Sequence, residues 1–182
     1  RSTLFPYTTL FRSASCTTTS AAEATDSVKQ DSIIFTTVKE IPITSIKNQS
    51  RSGTCWAYST LSYFEAEILK KSGKTYDLSE MFIANQDYID RATMMVRLHG
   101  DMQFAQGGSA YDVYYILKTY GICPEDAMAA PGSLVGDTLN NFNEFFKVMT
   151  PYVKALATSE EKQLSPAWKN ALQGIIDAYI GK

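Results

Sequence analysis

Histidine is almost missing from this chain: His99 is the only one in 182 residues. Chemistry that needs an imidazole to accept a proton has one candidate, and a histidine-rich metal site has none. Cysteine is scarce too. Cys16, Cys55 and Cys123 form an odd set with no Cys-x-x-Cys pair, which argues against a disulfide framework and a cysteine zinc site. No stretch approaches the roughly 18 apolar residues of a membrane-spanning helix. Positive charge never gathers into a block. The 17 Lys and Arg against 19 Asp and Glu leave a net charge of −2, so nucleic acid is a poor partner. No metal and no cofactor are expected.

What remains suits one domain, with 45% apolar residues to build a core. The first residues do not read like the rest. "RSTLFPYTTLFRS" has no helical stripe, and Pro6 interrupts any strand. Residues 3–13 look like a translated sequencing-library adapter, so residues 1–13 are set aside from fold reasoning; the alternative is an aromatic N-terminal arm. Residues 14–32 then read as a flexible polar tether. In "ASCTTTSAAEATDS", small residues before Cys16 resemble the end of a bacterial lipoprotein signal. Cys16 would there carry a lipid anchor and the protein would be extracytoplasmic; an incidental cysteine in a cytoplasmic protein is the alternative.

From residue 33 the pattern is that of a folded body. "IIFTTVKEIPITSI" is β-branched and broken by Pro42, which predicts extended segments. A helix is expected from Thr54 to about Lys71, burying Ala57, Leu61, Phe64 and Ile68 and stopping at Gly73. A second opens at Asp77 or Ser79, with Phe82, Tyr88, Ile89, Ala92 and Val96 inward. A third covers about Ser109–Tyr120 with Gly121 as its stop. Leu139, Phe142, Phe146 and Met149 mark a fourth, reset at Thr150-Pro151. Ser165-Pro166 begins a fifth, repeating at Trp168, Leu172, Ile175 and Tyr179. Met94-Met95 reads as core filling.

Cys55 is the residue with chemical promise. A thiol attacks as thiolate, and the first turn of a helix favours negative charge. Gly53 permits a tight bend into the helix and keeps bulk away from an incoming carbonyl. The Cys55 N–H and the Gln49 amide could form a two-point oxyanion hole, with Trp56 shielding the site from water. Spacing alone leaves a second reading open, a small buried core cysteine.

"NQSRSGTCWAYS" resembles the active-site segment of papain-like cysteine peptidases, where a glutamine precedes a Gly-x-Cys-Trp by this spacing. "LSEMF" at 78–82 is similar to the family's Leu-Ser-Glu element, and "QGGSAYDVYYILKTYGICPED" at 106–126 to its substrate-cleft segment. The resemblance implies a peptide substrate, Cys55 as nucleophile and Gln49 as oxyanion donor. It also implies that the main chain of Gly108, with Gly107, pairs with the substrate backbone, beside Trp56. Common papains carry a disulfide cysteine where this chain has Ser52. That departure, the long interval before the Gly-Gly pair and the tail "LSPAWKNALQGIIDAYIG" resemble the bleomycin-hydrolase/aminopeptidase C branch.

The resemblance implies an α+β papain-like fold of two lobes. Residues 33–182 would be a partial peptidase domain, mostly the helical lobe with a helical insertion, and the β-rich lobe would be missing. In the family the catalytic histidine and its asparagine follow the cysteine by roughly 130–150 residues, beyond Lys182. His99 matches no catalytic position and reads as a cap or surface residue. The expectation is therefore an N-terminal part of a thiol peptidase, inactive by itself, whose full-length parent could be a homo-oligomer. The alternative is a non-catalytic peptide-binding protein.

Overall fold

The computed structural model describes residues 35–128, 131–135 and 139–182. The adapter-like stretch, Cys16 and the tether lie outside the described residues. Lys39–Lys182 forms one compact unit, distinct from a unit ending at Val38, and carries every described helix and strand.

Local chemistry sets the helix ends. Helix α1 (Cys55–Ser72) begins after Thr54 and closes at Gly73, whose left-handed φ of 68° lets its N–H reach the Leu69 carbonyl. Helix α2 (Glu80–Arg97) starts where the Ser79 hydroxyl accepts the Phe82 N–H at 3.2 Å. At the head of α3 (Ala110–Tyr120), Asp112 Oδ2 accepts both the Ser109 N–H and its hydroxyl, and Gly121 ends the helix. Residues 125–127 make one 3₁₀ turn. A short antiparallel pair, β1 (Leu134–Val135) and β2 (Leu139–Asn140), precedes α4 (Asn143–Ala157) and α5 (Ala167–Ile180).

Helix α2 is the hub, packing on α1 and α3 at one side and on α4 and α5 at the other. It therefore buries more than one stripe: Met81, Ile83, Ala84, Asn85 and Asp87 join the expected Tyr88, Ala92 and Val96. Between α2, α4 and α5 lies an aromatic cluster. The Tyr88 ring meets Phe104, Phe142, Phe145 and Phe146, mostly edge to face, with centroids 5.3–6.4 Å apart. Between α1, α3 and α2 lies a smaller cluster of Trp56, Ala57, Leu61, Ile83, Val113 and Ile116.

Three expectations are corrected. Helix α4 runs through Pro151 instead of resetting there. An interior proline costs a helix about 3 kcal/mol, and the buried row Phe145, Met149, Val153 and Ala157 spans it and offsets that cost. Leu139 belongs to β2 and is exposed, not on the helical stripe. Of the methionine pair only Met95 is in the core; Met94 faces solvent. Residues 35–47 carry neither helix nor strand ladder. Among the described residues no helix is long and apolar enough to cross a membrane.

Candidate active site

The loop leading into α1 is held at nearly every residue. The Asn48 side chain accepts the Ser50 N–H at 2.8 Å, and Ser50 takes a left-handed φ of 51°. The Arg51 N–H donates to the Asn140 carbonyl, and the Arg51 carbonyl accepts from Phe142 N–H. The Ser52 hydroxyl donates to the Gln49 carbonyl at 2.8 Å and shares a 2.5 Å hydrogen bond with the Thr54 hydroxyl. Ser52 and Thr54 are both fully buried. Thr54 thus stands at the cap position, but its hydroxyl braces the loop rather than the helix. Gly53 is favoured twice over: its φ is +64°, and a Cβ there would lie 2.9 Å from Gln106 Cβ.

This loop delivers Cys55 to the first position of α1, exposed and unpaired in any disulfide. The Thr54 carbonyl takes the N–H groups of Ala57 and Tyr58. The N–H of Cys55 is not used by these bonds and lies at the electropositive helix mouth, where a developing oxyanion is favoured. Gln49 is half-buried, and its amide takes no part in the hydrogen bonds that hold the loop.

Trp56 links the cysteine to the glycine pair. Its indole is buried, and Nε1 donates to the Gln106 carbonyl at 3.0 Å. The Tyr88 hydroxyl donates to the same carbonyl. Gly108 lies against the indole so closely that a Cβ would be 2.6 Å from Trp56 Cδ2. Gly107 and Gly108 are themselves exposed. Through Trp56, the start of α1 is therefore packed against the Gly107–Gly108 segment. Behind that segment stands Arg91, its guanidinium 5.5 Å from the Trp56 ring centre and 2.7 Å from Asp87. Burial pushes the Asp87 carboxyl up to about 7, against the pull of Arg91.

A second charged group ties the approach segment down. Lys47 Nζ donates to Glu65 at 3.1 Å, to Glu80 at 2.8 Å and to the Leu78 carbonyl, and lies 2.6 Å from Asp77. Burial works against its ammonium, but the carboxylates overcome that and hold it above the usual lysine range. Glu80 goes the other way. Its burial outweighs Lys47 and raises its carboxyl to about 7. Glu65 is buried in α1 and also receives the Thr44 hydroxyl and the Leu78 N–H.

His99 sits exposed where α2 ends, with φ 51°, and no hydrogen bond among the described residues joins it to Cys55. Cys123 is a half-buried loop residue whose carbonyl accepts the Ser79 N–H. Arg91, Asp87, Lys47 and Glu65 escaped the sequence reading. One local signal existed, the Asp87–Arg91 spacing of an intrahelical ion pair.

Comparison with known proteins agrees with this geometry. The chain is 31% identical over 84 residues to the senescence-specific cysteine protease SAG39 of Oryza sativa subsp. indica, covering 46% of this chain and 22% of that protein. It is 27% identical over 112 residues to aminopeptidase G of Lactobacillus delbrueckii subsp. lactis, covering 52% and 25%. Over 48 residues it is 40% identical to the viral cathepsin of Lymantria dispar multicapsid nuclear polyhedrosis virus, 26% of this chain and 14% of that one. The chain thus spans a quarter or less of the length of these relatives. Residues 30–167 match the model of the papain family cysteine proteases, and the chain belongs to that family.

Proposed function

We propose that this chain is the nucleophile-bearing part of a thiol peptidase. The observation that carries the reading is an exposed Cys55 at the mouth of α1, coupled through buried Trp56 to the exposed Gly107–Gly108 edge. The Cys55 thiolate attacks a peptide carbonyl, and the oxyanion is met by the Cys55 N–H and the Gln49 amide. The backbone at Gly108 aligns the peptide. We assign the chain to the bleomycin-hydrolase/aminopeptidase C branch; Ser52 in place of a disulfide cysteine and the likeness to aminopeptidase G support it.

Attack and amine release need a group that takes and returns a proton. His99, the lone imidazole of residues 1–182, is not at the site, so the base comes from outside these residues. Residues 1–182 alone then give no turnover of an aminoacyl amide above the blank. The chain extended through its downstream reading frame hydrolyses it, and Cys55→Ala lowers kcat/KM by about 10³-fold or more. Activity that survives Cys55→Ala, or full turnover by residues 1–182, rejects the proposal.

A further inference from the structure

We infer that Arg91 is a positioning residue for the peptide: it draws the Gly107 carbonyl inward and so turns the Gly108 N–H outward to the substrate. The inference rests on the peptidase reading and adds to it the device that orients the binding edge.

Arg91 leaves α2 with only 14% of its side chain exposed, and each of its three nitrogens is engaged. Nε faces Asp87 at 2.7 Å. Nη2 donates to Asp112 Oδ2 at 3.1 Å, the same oxygen that caps α3 through Ser109. Nη1 donates to two carbonyls of the intervening segment, Ala105 at 3.2 Å and Gly107. The planar guanidinium thus ties α2, the start of α3 and the connection between them into one rigid fork.

The consequence follows from the peptide unit. The Gly107–Gly108 bond is trans, as are all those described, and a planar trans peptide points its carbonyl and its N–H in opposite directions. With the Gly107 carbonyl held on Arg91, the Gly108 N–H must face away from Arg91. No hydrogen bond among the described residues uses that N–H. Glycine on both sides leaves this peptide free to rotate unless something outside it sets the direction. Gly108 cannot be replaced by a stiffer residue, since a Cβ would collide with Trp56 and with Arg91 Nη2 at 2.7 Å. The orientation must therefore be imposed by a partner, and Arg91 is that partner. Lysine would keep the charge but lose the fork that reaches both carbonyls and Asp112.

The test uses residues 1–182 and two reagents that alkylate Cys55. One is an N-capped dipeptidyl chloromethyl ketone. The other is its analogue with an alkene in place of the amide at the second residue, which removes the carbonyl that would accept from Gly108. Loss of one such hydrogen bond slows labelling by about three- to tenfold. The unaltered chain is expected to prefer the amide reagent by that factor. Arg91→Lys and Arg91→Met are expected to erase the preference while leaving the rate with iodoacetamide unchanged. A second measurement needs no variant: amide exchange at Gly108 should be fast in the free chain and slowed in the peptidyl adduct. If the preference survives both substitutions, or Gly108 is already protected in the free chain, the role of Arg91 is overturned and the peptidase reading stands. If the unaltered chain shows no preference, the peptide-binding edge itself is rejected.

Discussion

The two sides of α2 are held together by different physics. Toward α4 and α5 the contact is a stack of rings, with Tyr88, Phe142 and Phe145 fully buried. Toward α1 and α3 the apolar cluster is small, and buried charge borders it: Lys47 with Glu65 and Glu80 on one flank, Asp87 with Arg91 on the other. Apolar burial stabilises without regard to direction, whereas charge-assisted hydrogen bonds fix angles. The scaffold side needs mass. On the proposed reading the site side needs aim, because Cys55 and Gly108 would present particular atoms to one peptide.

Substitutions that separate mass from aim test this contrast. Phe145→Ala should lower unfolding stability in urea by about 3–5 kcal/mol, yet leave iodoacetamide labelling of Cys55 unchanged in protein that remains folded. Slower labelling in the folded variant would mean that the aromatic cluster also aims the site. Lys47→Met should have the next largest effect. It strands Glu65 and Glu80 without their cation, at about 3 kcal/mol, the low end because Lys47 keeps 22% exposure. Here labelling by a dipeptidyl reagent should also fall, since the approach segment loses its anchor. Unchanged labelling would remove the ion group from the site.

Acidity gives the most local effect. Asp87 and Glu80 both carry carboxyls raised to about 7 from 3.8 and 4.5. The folded state therefore binds more protons than the unfolded chain between about pH 4 and 7. Their stabilising contribution is complete below the lower value and is lost as pH rises through about 7. Amide exchange corrected for intrinsic rates should accelerate in α1 and α3 across that window and stay level in α4 and α5. A uniform acceleration in all four helices would erase the distinction.

The sequence discloses what local chemistry decides. Ser79, Ser109, Gly73 and Gly121 mark helix ends because a cap bonds within a few residues of itself. Cys55 and Gly53 were legible for the same reason, standing together on one short loop. Pro151 misled because a local breaker was overridden by the buried row that spans it. The β1–β2 pair has two residues per strand, too few to show a period. Arg91 stayed hidden because its partners, Trp56, Ala105, Gly107 and Asp112, come from separate stretches that only the tertiary fold assembles.

The Ser52–Thr54 hydroxyl pair has a practical corollary. A thiol nucleophile survives purification and assay only in the presence of reductant, and a loop stapled by cystine would be loosened by the same additive. Here the turn is clasped through oxygen. Dithiothreitol can therefore keep the sulfur of Cys55 reduced without slackening the segment that presents it.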